Sequence, residues 1–114
     1  MDEFLRVMKS LADGNRVKII KMLQQRRLCL CEIQVALGVS EPTASSHLKK
    51  LEEAGLVASR KEDGWVNYYL TDGGGSPYAV LMLASLHHWL SEDRAISDLM
   101  TALRFIHRDN ICKK

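Results

Sequence analysis

The sequence predicts a mainly helical α+β fold that contains one two-stranded antiparallel hairpin. Apolar residues recur at helical spacing along most of the 114-residue chain, and 46% of its residues are hydrophobic. Residues 57–70 differ, because β-favouring runs flank an Asp63-Gly64 pair that is typical of a tight hairpin turn. This length fits one small domain, residues 1–114, with a core of its own.

Ahead of the hairpin, the first two predicted helices carry apolar stripes. The first covers residues 2–12 and ends where Asp13-Gly14-Asn15 breaks the pattern. Asn15 is the predicted N-cap of the second, because its side chain can accept a hydrogen bond from a free backbone N–H. This second helix is expected to run to about Arg26.

Residues 31–55 form a predicted helix-turn-helix. Its first helix covers about residues 32–37 and closes at Gly38, which tolerates left-handed backbone. Ser40 is the predicted cap of the second helix. The side of this helix that is expected to face the core is apolar and includes Ala44, Leu48 and Leu51. Its opposite side is small and polar, which suits entry into a DNA major groove.

The outer side of this second helix and the hairpin supply the candidate DNA contacts. We expect Thr43, Ser46 and His47 near base edges, and Ser45, Lys50 and Arg60 on phosphates. The formal net charge of +2 is lower than that of many nucleic-acid binders, so overall composition leaves DNA binding undecided. A local cluster of cations in the middle of the chain favours it.

The C-terminal part is also predicted to be helical. After the wing, residues 57–70, a glycine-rich loop leads into helices over about residues 78–108, with Ser91 as the candidate cap of the second one. The chain starts with acidic residues rather than a basic leader, and its most apolar run is too short to cross a bilayer. We therefore expect a cytoplasmic protein with no membrane partner.

Two cysteines separated by one residue, Cys29 and Cys31, lie just ahead of the helix-turn-helix. Thiolates bind soft metals, and a thiol near a helix N-terminus loses its proton more readily. An odd total of three cysteines favours reduced thiols used in metal or redox chemistry over a disulfide framework. Residues i and i+2 of a helix project about 200° apart, so both thiols can hold one ion only if the helix start unwinds.

Residues 11–70 resemble the ArsR family, also called ArsR/SmtB, of metal-responsive bacterial repressors. The resembling runs are Leu11-Ala12-Asp13 with Arg16, the cysteine box Leu28-Cys29-Leu30-Cys31-Glu32, the recognition helix from Ser40 to Leu48 and onward to Val57, and the wing residues Arg60, Gly64-Trp65-Val66 and Tyr68-Tyr69-Leu70. The resemblance implies a winged helix-turn-helix whose terminal helices form a homodimer on palindromic operator DNA. It also implies repression of arsenical resistance genes until arsenite, As(III), or antimonite, Sb(III), binds cysteine thiolates.

One position departs from the arsenic-responsive pattern. Some relatives carry a third cysteine three residues after the second, where this chain has Gln34. The predicted metal ligands are therefore Cys29, Cys31 and Cys112, and the sequence leaves open which subunit supplies Cys112. Cd(II) and Pb(II) are further candidate inducers, and no organic cofactor is expected.

Several alternatives stay open at the level of sequence. The two close thiols also suit a winged-helix repressor that senses oxidants or reactive sulfur species. A ligand-free interaction module is a further alternative, with the cysteines as small core side chains. His87 and His88 are adjacent and point about 100° apart on a helix, so they do not readily chelate one ion. No Cys-x-x-Cys motif, phosphate loop or nucleophile-base pair supports an enzyme.

Overall fold

The computed structural model describes residues 1–112, which form seven helices and three short strands. The elements are α1 (Asp2–Leu11), α2 (Gly14–Leu23), β1 (Leu28–Cys29), α3 (Leu30–Leu37), α4 (Glu41–Glu53), β2 (Val57–Glu62), β3 (Trp65–Leu70), α5 (Pro77–His88), α6 (Arg94–Leu103) and α7 (Arg108–Ile111). The predicted mainly helical α+β class is confirmed. Within residues 1–112, no helix has both the length and the apolar character needed to span a membrane.

The sheet is antiparallel, with strand order β1-β3-β2. Its β2–β3 hairpin is the predicted wing, and both turn residues, Asp63 and Gly64, adopt positive φ as a tight hairpin turn requires. The third strand, β1, was not predicted. It pairs only Leu28 with Tyr68 and Cys29 with Asn67, so it is too short to show an alternating pattern. This pairing places the cysteine box at the base of the wing.

The N-terminal ends of α2 and α3 differ from the predicted ones. Asp13 caps α2, because its Oδ1 accepts the backbone N–H of Asn15 at 2.8 Å and of Arg16 at 3.1 Å. The prediction of Asn15 as the cap is wrong, and α2 also ends at Leu23, before Arg26. Helix α3 begins two residues earlier than predicted, since Cys29 is its N-cap.

The C-terminal helices are also divided differently from the prediction. Asp93 caps α6 by accepting the N–H of Ile96 at 3.2 Å, so the prediction of Ser91 as the cap is wrong. The Ser91 hydroxyl instead donates to the carbonyl of His88 at 3.1 Å, at the end of α5. A further short helix, α7, follows α6 and leads to Cys112.

The core is centred on α2 and the helix-turn-helix. Its largest fully buried side chains are Val7, Ile19, Ile20, Met22, Leu28, Ile33, Leu48, Leu51 and Leu56. Each such side chain contributes roughly 1.5–3 kcal/mol relative to an exposed position. The predicted inward face of α4 is confirmed, because Ala44, Leu48 and Leu51 are all buried.

One buried cation joins α2 to the end of α5. The Lys21 ammonium donates to the carbonyls of Leu86 at 2.8 Å and Trp89 at 3.0 Å, where the helix leaves its last carbonyls unpaired. Burial lowers the pKa of Lys21. This contact fixes α5 on the winged-helix core.

Candidate DNA-binding surface and cysteine site

The turn between α3 and α4 is determined by two local features. Gly38 ends α3 in the left-handed region, with φ of 68°, and its N–H donates to the carbonyl of Gln34 at 2.9 Å. The Ser40 hydroxyl oxygen then accepts the N–H of Thr43 at 3.4 Å at the start of α4. Both caps agree with the prediction from sequence, and together they orient the outer face of α4.

The predicted DNA contacts lie on the outer surface of α4 and on the wing. Thr43, Ser45, Ser46, Lys50 and Arg60 are exposed. His47 is only half-buried, and its Nδ1 lies 3.2 Å from Nη1 of Arg16. The Arg16 side chain also donates to the carbonyl of Ser10 at 2.7 Å, which ties the end of α1 to the flank of α4. The roles of these residues on DNA stay predictions.

Cys29 is buried and has a structural position. It is the N-cap of α3 and forms a capping box with Glu32, whose Oε1 accepts the Cys29 N–H at 3.0 Å. The side chain of Cys29 is 3% exposed. Burial raises the pKa of its thiol, so the neutral form persists to higher pH than in a free cysteine.

Cys31 and Cys112 form a disulfide between positions that are 81 residues apart in sequence. Cys31 lies in the first turn of α3 and Cys112 follows α7, with their Cα atoms 6.1 Å apart. The structure thus contains a disulfide where three reduced thiols were expected. In the single chain described, Cys112 reaches Cys31 of the same chain.

The disulfide bears directly on the predicted metal site. With two of the three sulfurs bonded to each other, residues 1–112 contain no group of three His, Cys, Asp or Glu side chains placed to hold a metal ion. Reduction would leave two thiols side by side, which is two thirds of the sulfur set that As(III) prefers. Cys29, the third predicted ligand, is buried at the N-cap of α3.

A pocket of about 300 Å³ opens beside the cysteine box. Its walls include Cys29 and Cys31, Gln34 of α3, Glu41 at the start of α4, and Trp65 of the wing. Gln34, which occupies the place of the third cysteine of the arsenic-responsive pattern, therefore still faces the site. The pocket opens on Cys31, which is half-buried, whereas Cys29 is almost fully buried in its wall.

Sequence reasoning missed Glu32 and α7 as parts of the site. The Glu32 carboxylate is buried, yet it accepts hydrogen bonds from Cys29, Arg26 and Arg108. Burial acts to raise the pKa of Glu32, but the Cys29 N–H and the Arg26 guanidinium outweigh it and hold that pKa below its usual value. The capping-box spacing from Cys29 to Glu32 was the local signal.

A helix-turn-helix with an exposed polar helix, followed by a two-stranded wing, defines the class of winged-helix DNA-binding regulators. The family profile described as "Bacterial regulatory protein, arsR family" matches residues 13–59. The chain belongs to this family of transcriptional regulators.

One named relative and two solved structures are similar to this chain. The arsenical resistance operon repressor of Escherichia coli is 40% identical over 68 residues, which are 59% of this chain and 58% of that protein. The reduced form of HlyU from Vibrio cholerae superposes with a TM-score of 0.65 at 30% identity, covering 79% of this chain and 90% of that one. A homodimeric winged helix-turn-helix DNA-binding domain from Mycobacterium bovis has a TM-score of 0.61 at 30% identity, covering 77% and 82% of the two chains.

Proposed function

We propose that this ArsR-family repressor binds operator DNA as a homodimer and releases it when As(III) or Sb(III) binds Cys29, Cys31 and Cys112. The observation that carries the proposal is the meeting of Cys31 and Cys112 at the first turn of α3, which packs on the recognition helix α4. The name of the Escherichia coli relative supports an arsenical as the inducer. Cd(II) and Pb(II) are the other ions to compare.

The capping role of Cys29 supplies a mechanism for release. To become the third thiolate ligand, Cys29 must leave the N-cap of α3, and losing such a cap costs about 0.5–2 kcal/mol. Cys29 also pairs with Asn67 of β3, so its displacement disturbs both α3 and the base of the wing. Operator affinity then falls by the coupling free energy between the two sites, typically about 1–3 kcal/mol.

Binding to DNA is proposed to use the exposed face of α4 and the wing. Replacing Lys50 or Arg60 with alanine is expected to weaken binding to all DNA sequences similarly and to reduce the slope of log affinity against log salt by about one. Arg104→Ala, at an exposed cation after α6, is the control and should leave the slope unchanged. An unaltered slope in both test variants would place the interface elsewhere.

The proposed dimer interface is an apolar surface on α1 and α5. Phe4 and Tyr78 pack edge to face with ring centroids 5.3 Å apart, and both are partly exposed next to the more exposed Leu81. A second copy of this chain would cover these residues, as the homodimeric domain from Mycobacterium bovis suggests. Leu81→Glu should shift the protein to monomer in sedimentation equilibrium, whereas Arg104→Ala should not.

The disulfide itself favours a second candidate, a repressor that responds to oxidation. Hydrogen peroxide would accept two electrons and two protons from the Cys31 and Cys112 thiols, forming the disulfide and two molecules of water. Cys29 takes no part in that reaction. The two candidate signals therefore differ in whether they need the third cysteine.

Titration of the reduced protein on an operator fragment selected from random DNA tests both candidates. The protein is kept anaerobic, and DNA release is followed by fluorescence anisotropy as arsenite, antimonite, Cd(II), Pb(II) or Zn(II) is added. Release by arsenite with one ion bound per chain supports the first proposal. Release by peroxide with no tight binding of arsenite supports the second, and no release by either contradicts both.

A further inference from the structure

The buried carboxylate of Glu32 links three segments of the chain. It is 2% exposed, and it accepts the Cys29 N–H at 3.0 Å, the Arg26 Nη1 at 2.9 Å and the Arg108 N–H at 3.2 Å. Burying a carboxylate raises the free energy of the folded state unless it is paired and hydrogen-bonded. These three donors offset that penalty for Glu32. One of the three donors, Arg108, comes from the C-terminal segment.

The same segment is fastened at two more places. Arg26 uses its Nη2 to donate to the carbonyl of Ile106. The Arg108 guanidinium donates to Asn67 Oδ1 at 3.1 Å and lies 5.0 Å from the ring centroid of Trp65, so it contacts β3 directly. The chain between α6 and α7 is thus held against both α3 and the wing.

These contacts lie one helical turn before Cys112. Arg108 is the first residue of α7, where backbone N–H groups lack partners within the helix, and the Glu32 carboxylate accepts the Arg108 N–H there. The N–H of Cys112 donates to the carbonyl of Arg108 at 2.8 Å, which closes the turn. Docking of Arg108 therefore determines where Cys112 lies.

We propose that Glu32, Arg26 and Arg108 are positioning residues that hold Cys112 at Cys31 and so set how readily the two thiols act together. A free tail after α6 would sample many positions, whereas a docked tail presents its thiol at high effective concentration. The inference deepens the proposed function because it concerns the same thiol pair. It applies to a shared As(III) ligand set and to disulfide formation alike.

The test is the thiol–disulfide equilibrium of the full chain with glutathione, without DNA or arsenite. Oxidised glutathione takes two electrons and two protons from Cys31 and Cys112, giving the disulfide and two molecules of reduced glutathione. The fraction of disulfide is measured by mass spectrometry after alkylation. We expect Arg108→Ala and Glu32→Gln each to lower the equilibrium constant by about tenfold or more.

Arg27→Ala is the matched control. Arg27 neighbours Arg26 and makes an ion pair of the same length, 2.9 Å, but with Glu62 of the wing rather than with the Glu32 that docks the tail. The thiol–disulfide equilibrium constant of Arg27→Ala should therefore match that of the wild type. An unchanged constant in Arg108→Ala, or an equal fall in Arg27→Ala, would overturn the inference.

Folding effects are separated by a second measurement. Each substitution is repeated with Cys112→Ser, and the melting temperature is recorded in the reduced state. Arg108 lies outside the buried core, so Arg108→Ala should melt close to its parent in the Cys112→Ser background. With Cys112 present, the same substitution should still lower the fraction of disulfide. A merely structural role would not produce both results. Because DNA is absent, a failed operator titration would refute the proposed function and leave this result standing.

Discussion

Cys29 and Cys31 are two positions apart, yet their surroundings give them different chemistry. Cys29 ends β1, is buried, and caps α3, whereas Cys31 lies in the first helical turn, is half-buried, and bonds to Cys112. The position of each cysteine at the start of α3 decides its contacts. Cys29, at the N-cap, donates its N–H to Glu32, and Cys31, in the first turn, bonds to Cys112. A cysteine pair that looks uniform in sequence thus combines one buried capping thiol with one disulfide-bonded cysteine.

The distinction bears on how a signal could reach DNA. A change at Cys31 and Cys112 alters the docking of the tail, while a change at Cys29 alters the cap of α3 and the β1–β3 pairing. As(III) needs both changes if it takes three thiolates, whereas oxidation needs only the first. The response of each cysteine variant therefore separates the two signals.

The largest expected effect is loss of the effector response in Cys31→Ser and Cys112→Ser. Reduced wild-type protein should lose roughly 5- to 150-fold in operator affinity on adding arsenite, as is typical of coupled sites. Both variants should bind operator normally and show no such loss, because each removes one thiol of the Cys31–Cys112 pair. Fluorescence anisotropy with and without arsenite measures the ratio.

Cys29→Ser sharpens the same comparison. It should weaken release by arsenite and leave release by peroxide intact, since oxidation uses only Cys31 and Cys112. Equal loss of both responses would mean that Cys29 acts through the fold rather than as a ligand. An intact arsenite response would remove Cys29 from the ligand set.

The next effect is a difference in thiol reactivity within the reduced protein. Burial raises the pKa of Cys29, so at neutral pH less of it is thiolate, and its side chain is also shielded. Iodoacetamide should modify Cys31 and Cys112 at least about tenfold faster than Cys29. Peptide mass spectrometry over a time course gives the three rates, and equal rates in native protein would contradict the buried position of Cys29.

A smaller effect is expected on stability. Cys29→Ala removes a buried side chain and one half of a capping box, and should lower the free energy of unfolding by about 1–2 kcal/mol. Cys31→Ala in reduced protein should stay within about 0.5 kcal/mol of the wild type, because its thiol fills no core space. Urea unfolding under reducing conditions measures both, and similar losses would show that the two sites do not differ structurally.

Much of the fold was predictable because single local rules determine it. Gly38, Ser40 and the Asp63-Gly64 turn each act through backbone φ or one nearby hydrogen bond, and the periodicity of α4 shows its buried face. The caps of α2 and α6 were misassigned within two residues, since neighbouring polar side chains compete for the same backbone N–H groups.

The site was less predictable because its decisive contacts are non-local. The cysteines were recognised by residue type, but the pairing of Cys31 with Cys112 spans 81 positions and follows no helical spacing. The docking of Arg108 on Glu32 and Trp65 joins the tail, α3 and β3 in one place. Periodicity and capping rules extend over only one or two turns, so neither could reveal this arrangement.

The smallest expected effect is on the acid side of the stability profile. It tests Glu32, whose carboxylate accepts the N–H groups of Cys29 and of Arg108. The folded protein lowers the pKa of Glu32, so near that pKa the folded state binds fewer protons there than the unfolded state. Its stabilising contribution is therefore complete above the unfolded pKa and is lost as the pH falls through the folded pKa. As the pH falls from about 7 to about 3, reduced wild-type protein should lose more unfolding free energy than Glu32→Gln, in urea titrations at each pH.

Glu62→Gln provides the matched control for this acid effect. Glu62 also has a lowered pKa, chiefly through its hydrogen bond to Arg27, but that pair lies at the surface, where solvent screens it. Its replacement should change the pH profile less than replacement of Glu32 does. If the two variants flatten the profile equally, the buried position of Glu32 gives it no special weight. The link it forms between the α3 cap and the Cys112 tail would then stabilise the fold no more than a surface ion pair does.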